Sequence, residues 1–391
     1  MMRLGALIGS KLIIFEPITL DNRLTMPYNW QLHDWPHFRF DDSVIEHEVI
    51  EMVHLVGKTH GMYEGLTDQF RDETLINALV EEAVKTSEIE GEYVSRKDVL
   101  SSVRHNLGFE NSHHSDDHRA RGAADLVMLS RSDWNKPLSE QMLHAWHNAL
   151  LQGNKDIALG RWRTHSEPMQ VISGALGQER VHFEAPPSRE VPGEMSRLID
   201  WYNGKPSHGV SPMKYAPIKS ALVHIYFESI HPYEDGNGRI GRALSQKALS
   251  EGFGYPVMVG LSPAIEAKKK EYDAALMEAQ STLDVTSWLQ YFLGVLKEGI
   301  LTTDAMVRFT LKKASFFDTY GESLNERQLK VIRRVFQEGH SGFEGGLSAR
   351  KYMAIAKCPK ATATRDLQYL HQQGILRVVG AGRSTRYELI Y

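Results

Sequence analysis

The stretch His231-Pro232-Tyr233-Glu234-Asp235-Gly236-Asn237-Gly238-Arg239-Ile240-Gly241-Arg242 decides how the rest of the chain is read. An apolar helical pattern (Leu222, Val223, Ile225, Tyr226, Phe227) runs into it, and another (Ala243, Leu244, Ala248, Leu249) leaves it. Glycines on both sides of Asn237 let backbone N–H groups turn toward one point at the start of the following helix, which makes an anion nest. Arg239 and Arg242 add fixed cations suited to phosphate oxygens. Asp235 offers a hard oxygen ligand for Mg2+. His231 titrates near neutral pH and can take a proton from a hydroxyl. A base, a metal ligand and a phosphate cradle side by side point to phosphoryl or nucleotidyl transfer.

The segment closely resembles the signature of the Fic family, H-x-F-x-[DE]-G-N-G-R-x-x-R, with Tyr233 in place of Phe. A buried tyrosine there needs a partner for its hydroxyl. The resemblance implies a mainly α fold, with an all-helical Fic core and a β-hairpin flap. It implies transfer of AMP from ATP to a Ser, Thr or Tyr hydroxyl of a target protein, with diphosphate released. By position, His231 would be the general base and Asp235 the Mg2+ ligand. Gly236, Asn237 and Gly238 would bind the inner phosphates, and Arg239 and Arg242 the outer ones. Related Doc kinases tend to carry Lys where Gly238 stands, so Gly238 favours AMP transfer. Tyr272 resembles a tyrosine lining the adenosine pocket, and Gln280 falls where some relatives use an amide for adenine. Alternation in Met169–Ser173 and Arg180–Phe183, around Gly174 and Gly177, predicts a hairpin. It resembles the flap that aligns a target by strand addition, which singles out Val171, Ile172 and Ser173. Gly160-Arg161-Trp162-Arg163 and Pro186-Pro187 on either side also resemble family features.

Thr86-Ser87-Glu88-Ile89-Glu90-Gly91 matches the family's inhibitory motif, [ST]-x-x-x-E-[GN]. It ends a helix predicted over 73–90, where Leu75, Ile76, Leu79, Val80, Ala83 and Val84 recur at helical spacing. Glu90 is expected to pair with Arg242, occupying the cation that the outer phosphate needs. In some relatives the same Glu supports removal of AMP.

Further helices are predicted from Asp42 and over 96–107, 120–131, 139–152, 190–203, 214–230, 239–252, 264–280 and 285–298, with a connecting helix at 304–318. Three short helices (325–338, 347–356, 361–373) and two alternating segments (375–379, 385–390) outline a winged helix-turn-helix. This tail holds 12 Lys and Arg against 5 Asp and Glu from Ser323 on, a net +7 that leaves −11 on residues 1–322. A basic module on an acidic body suggests its own partner. Lys360, Thr362, Thr364 and Arg365 could face DNA, with Arg383 and Arg386 on the wing.

The expected domains are therefore an uncertain leader 1–26, an N-terminal helical domain 27–115 with the inhibitory helix, the Fic core 116–300, a connecting helix 301–322 and the winged helix-turn-helix 323–391. Trp30 to Asp41 resembles a domain often found before bacterial Fic cores. The apolar run Leu4–Phe15 is too short to span a bilayer, and Met26 is an alternative start. A single cysteine, Cys358, excludes an internal disulfide framework and fits a cytoplasmic setting. With 42% hydrophobic and 24% charged residues, the chain is neither disordered nor collagen-like. Expected partners are ATP, a target protein the sequence does not identify, the chain itself as target, a second copy in a homodimer, and DNA through residues 323–391. No membrane partner is expected. Two readings compete with AMP transfer from ATP: a DNA-binding regulator with a nucleotide-sensing core, and a Fic enzyme that removes AMP or transfers another group.

Overall fold

The computed structural model describes residues 6–8, 11–13, 27–109, 114–173, 180–204, 211–339, 343, 345–382 and 385–390. Two compact units emerge: Met1–Gly61 with Leu75–Thr303, and Met62–Thr74 with Asp304–Tyr391. Both are mainly helical.

The first unit is built around α7 (Pro212–Ile230) and α8 (Asn237–Phe253). From Ser220 to Ile230 every residue of α7 is buried, so this helix is covered on all sides, with its polar members Ser220, His224, Glu228 and Ser229 in the interior. Small residues bring the two helices together. A Cβ on Gly252 would lie 2.3 Å from that of Ala216. Ser220 and Ser245 exchange hydroxyl-to-carbonyl hydrogen bonds of 2.9 and 3.0 Å across the contact. These internal acceptors satisfy both buried hydroxyls, which would otherwise cost about 1–3 kcal/mol each.

Around this pair lie α4 (His118–Ser132), α5 (Glu140–Leu150) and α6 (Val191–Asn203), sharing a core with Trp146, Trp162, Tyr226 and Tyr233. On the other side, α9 (Leu261–Ala267), α10 (Lys269–Ala279) and the first part of α11 (Thr286–Tyr320) pack with α1 (Asp42–Glu64) through Trp288, Phe292 and Ile225. The aromatic-rich segment before α1 is pinned at three points. Asn29 donates to Ser229 Oγ at 2.8 Å, Trp30 to the Glu184 carbonyl at 2.7 Å and Trp35 to Glu194 at 2.9 Å.

Three expectations shift. The predicted helix 73–90 starts earlier, as α2 (Asp68–Ile89), and α3 (Arg96–Asn106) follows it. The predicted 264–280 helix is broken at Lys268, whose φ of −131° leaves the helical region. The helices expected at 285–298 and 304–318 are one continuous α11, because Leu296, Ile300 and Val307 carry the apolar stripe through without a break. Strands β1 (Ala6–Ile8) and β2 (Lys11–Ile13) pair antiparallel inside the leader, whose other residues lie outside the described set. The central hairpin is β3 (Gln170–Ser173) with β4 (Arg180–Glu184), antiparallel, with an irregularity between Val171 and Ile172. Its tip, with Gly174 and Gly177, lies outside the described residues.

In the second unit α12 (Glu326–Gln337), α13 (Ala349–Ala356) and α14 (Lys360–Gln372) precede an antiparallel pair, β5 (Leu376–Val379) and β6 (Arg386–Leu389). An Asn325–Gln328 capping box starts α12. Buried Asp366 accepts from Tyr352 at 2.9 Å and pairs with Arg327 at 3.2 Å, tying all three helices together. Arg383 lies outside the described residues. No helix among the described residues is long and apolar enough to cross a membrane.

Candidate active site

The site forms where α7 ends and α8 begins. His231 caps α7 in the left-handed conformation, φ 49°, ψ 61°, with its N–H on the Phe227 carbonyl at 2.9 Å. A non-glycine residue pays about 1–2 kcal/mol for that conformation. Arg163, fully buried, holds the turn in place. Its Nε donates to the His231 carbonyl at 2.8 Å, its terminal nitrogens to Ser188 Oγ at 2.9 Å, to the Ile230 carbonyl at 3.3 Å and to the Pro186 carbonyl. Its own N–H reaches the Pro232 carbonyl at 2.9 Å. Burial lowers the guanidinium to about 10, which still leaves it charged at neutral pH. The sequence marks Arg163 as a family-like position without a role; this brace is its observed role. His231 Nδ1 faces Glu228 Oε2 one helical turn back, at 3.8 Å.

Gly236, at φ 83°, is the N-cap of α8. The Asn237 side chain closes the turn: its Oδ1 accepts from Tyr233 N–H and its Nδ2 donates to the Tyr233 carbonyl, both at 2.8 Å. Both ends of the Asn237 side-chain amide are thus engaged within the turn. Tyr233 is buried and stacks on His147 with ring centres 4.0 Å apart. Its hydroxyl has the partner it needs, His144 Nδ1 at 3.1 Å. His147 accepts the Gly160 N–H at 2.9 Å, and burial brings it down to about 4, so it is neutral.

Helix α2 runs antiparallel to α8 and, with the turn that ends it, presents Glu82, Thr86 and Glu90, each four residues apart. These meet Gln246, Arg242 and Gly238, spaced by the same four. Gln246 donates to Glu82. Arg242 donates to Thr86 Oγ1 and to the Thr86 carbonyl, both at 2.9 Å, and to Glu90 Oε1 at 3.0 Å. A Cβ on Gly238 would lie 2.2 Å from that same oxygen. Glu82 also accepts from Ser262 N–H at 3.1 Å, and burial pushes its carboxyl up to about 7. Lys269 donates to the Ile89 carbonyl, where a cation complements a helix C-terminus. Glu82 and Lys269 escape a motif reading because their partners lie 164 to 180 residues away.

Arg239, 3% exposed, donates to Glu92 Oε2 at 2.6 Å and to Asp235 Oδ1 at 3.4 Å. Asp235 Oδ1 also accepts the Gly236 N–H at 2.6 Å. The two residues expected around adenine sit in the interior. Tyr272, 4% exposed, shares a 2.7 Å hydrogen bond between its hydroxyl and His224 Nε2. Gln280, 6% exposed, donates to the Glu228 carbonyl at 3.2 Å. Neither faces open space. Val171 and Ile172 are half-buried on β3, and the side chain of Ser173 is outside the described set.

Residues 137–249 match the Fic/DOC family, and residues 28–109 match a domain of unknown function, DUF4172. Residues 137–249 are therefore similar to a Fic/DOC domain, and this stretch includes His231 to Arg242. It is similar to a probable protein adenylyltransferase of Aquifex aeolicus, with 33% identity over 98 residues, 25% of this chain and 27% of that protein. It is also similar to a protein adenylyltransferase Fic of Drosophila willistoni, with 34% identity over 99 residues, 24% of this chain and 18% of that protein. The matched region thus spans about a quarter or less of these curated relatives. A Fic family protein from Desulfovibrio desulfuricans shares the fold over 88% of this chain and 96% of its own, with a TM-score of 0.50 and 20% identity.

Proposed function

We propose that the chain is a protein adenylyltransferase that uses ATP and Mg2+ and is held inactive by Glu90. The observation that carries this reading is the seat of the Glu90 carboxylate. It lies on Gly238 and hydrogen-bonds Arg242, so it fills the place and takes the cation that a phosphate would use.

In the reaction, a target Ser, Thr or Tyr oxygen attacks the α-phosphorus of ATP. The bond to the β-phosphate oxygen breaks and diphosphate leaves. His231 takes the hydroxyl proton on Nε2, since its Nδ1 is turned to Glu228. Backbone N–H groups at Gly236–Gly238 and the guanidinium groups of Arg239 and Arg242 stabilise the charge that builds on phosphate oxygens. Asp235, partly exposed, is a fitting donor for Mg2+, which is commonly held by one or two carboxylates together with substrate phosphates. There the ion would neutralise phosphate charge. Tyr272 and Gln280 are proposed for the adenine side, which requires their internal hydrogen bonds to rearrange. Val171, Ile172 and Ser173 are proposed to align the target backbone on β3. Residues 323–391 are proposed as a winged helix-turn-helix in which α14 exposes Lys360, Thr364 and Arg365 to nucleic acid.

The test is label transfer from α-³²P-ATP with Mg2+, run on the wild type, Glu90→Gly, and Glu90→Gly/His231→Ala, with γ-labelled ATP in parallel. The expected result is label from the α position only, raised by Glu90→Gly and abolished by the added His231→Ala. Label from the γ position would make the chain a kinase. An inactive Glu90→Gly protein that folds and binds ATP would overturn the brake.

A further inference from the structure

Both cradle arginines are engaged by carboxylates from the same short segment. Glu90 takes Arg242 at 3.0 Å and Glu92 takes Arg239 at 2.6 Å. The inhibitory motif names only the first of these. Between them, Gly91 sits at φ 80°, and the chain reverses through a paired C-terminal cap: Gly91 N–H on the Glu88 carbonyl and Glu92 N–H on the Ser87 carbonyl, both 3.0 Å. A side chain at Gly91 would strain that reversal. The reversal is what brings Glu92 back onto α8 after α2 has ended.

Local energetics oppose this placement. Two carboxylates lie at the C-terminal end of a helix, where the backbone dipole is negative and disfavours anions. They also lie at the N-terminal end of α8, where backbone N–H groups favour them. Glu90 and Glu92 thus occupy an anion seat of another helix, at the expense of their own. The pair with Arg239 is well sheltered: the arginine side chain is 3% exposed and that of Glu92 17%. Little screening by solvent reaches it.

We propose that Glu92 is a second inhibitory carboxylate, which competes with nucleotide phosphate for Arg239 while Glu90 competes for Arg242. Displacing Glu90 alone leaves the cradle half-filled. This inference rests on the nucleotide-binding reading of the site. It predicts that Glu92 acts on nucleotide affinity: Arg239 stays where it is, and a phosphate replaces one carboxylate partner. A structural role would give the opposite sign, because Arg239 without Glu92 would lose its position.

The experiment compares wild type, Glu90→Gly, Glu92→Gln and Glu90→Gly/Glu92→Gln. Each is titrated with a non-hydrolysable ATP analogue by calorimetry and assayed for label transfer from α-³²P-ATP. Gln keeps the shape and the acceptor oxygen of Glu92, and Glu92→Ser repeats the test with a shorter side chain. The expected result is that Glu92→Gln tightens analogue binding about tenfold in the Glu90→Gly background, the scale of one charge-assisted hydrogen bond. The KM for ATP falls by a similar factor with kcat nearly unchanged. Unchanged or weaker binding in both Glu92 variants, with binding to Glu90→Gly intact, would overturn the role of Glu92 and leave the nucleotide site standing. No binding to any protein, the double variant included, would overturn both. Tighter binding without label transfer would uphold Glu92 and overturn AMP transfer instead.

Discussion

Glu90 rests its carboxylate directly on Gly238: a Cβ at that glycine would fall 2.2 Å from Glu90 Oε1 and 3.1 Å from the Arg242 guanidinium. The absence of a side chain at 238 therefore serves two occupants of one space, the inhibitory carboxylate here and a phosphate in the proposed complex. Adding a methyl group should exclude both. We expect Gly238→Ala to release Glu90 at little cost in stability, since a flexible side-chain tip can move aside. Nucleotide binding should still fail to gain. By calorimetry, Glu90→Gly/Gly238→Ala should bind ATP at least about tenfold more weakly than Glu90→Gly, a loss of about 1.4 kcal/mol. Equal affinities would mean that phosphate does not sit where Glu90 does.

Arg163 anchors the turn that carries His231 by donating to the His231, Ile230 and Pro186 carbonyls. Replacing it by Met keeps bulk and removes the donors. Leaving several buried carbonyls unsatisfied should cost about 3 kcal/mol or more in urea unfolding. In the Glu90→Gly background, transfer should fall about a hundredfold, as expected for a small displacement of a catalytic group. ATP affinity should persist, because the cradle on α8 is built separately. Full activity in Arg163→Met would show that His231 keeps its place without the brace.

The buried Glu82 carboxyl gives stability a pH dependence with a definite sign. Burial raises it to about 7, above the ordinary value of 4.5. Between those values the unfolded chain ionises first, so this group's contribution falls as pH rises and is fully unfavourable above about 7. The total is about 3.5 kcal/mol at most, from about 1.4 kcal/mol per pH unit. Glu82→Gln cannot ionise. Its melting temperature relative to wild type should therefore rise from pH 5 to pH 8. Parallel curves over that range would show that the carboxyl titrates normally.

Tyr233 stands where the family signature has Phe, and its hydroxyl is taken up by His144. Tyr233→Phe removes one neutral hydrogen bond and leaves the ring stacked on His147. The expected cost is about 1 kcal/mol by urea titration, with transfer in the Glu90→Gly background unaltered. A loss of transfer at normal stability would give the hydroxyl a part in the chemistry.

Much of the site was legible in the linear chain because its members are neighbours there. His231, Asp235, the glycines, Arg239 and Arg242 share one helix–turn–helix junction, so spacing alone brings them to one end of α8. The pairing of Glu90 with Arg242 was legible only through the family motif, and the structure supplies its register, four residues per step on two antiparallel helices. Helical periodicity located most elements. It failed where one helix runs on through a glycine, as α11 does at Gly299, and where a break has no punctuation, as at Lys268. What the tertiary structure alone decided lies in contacts between residues far apart in sequence. Arg163 reaches His231, Glu82 reaches Ser262, Lys269 caps α2 and Glu92 takes Arg239. Tyr272 and Gln280, expected around adenine, hydrogen-bond His224 and the Glu228 carbonyl in the interior. The reason is general. A local turn is determined by the residues that form it, whereas a buried polar side chain must be paired by whatever packing brings within about 3 Å, and no spacing along the chain encodes that distance.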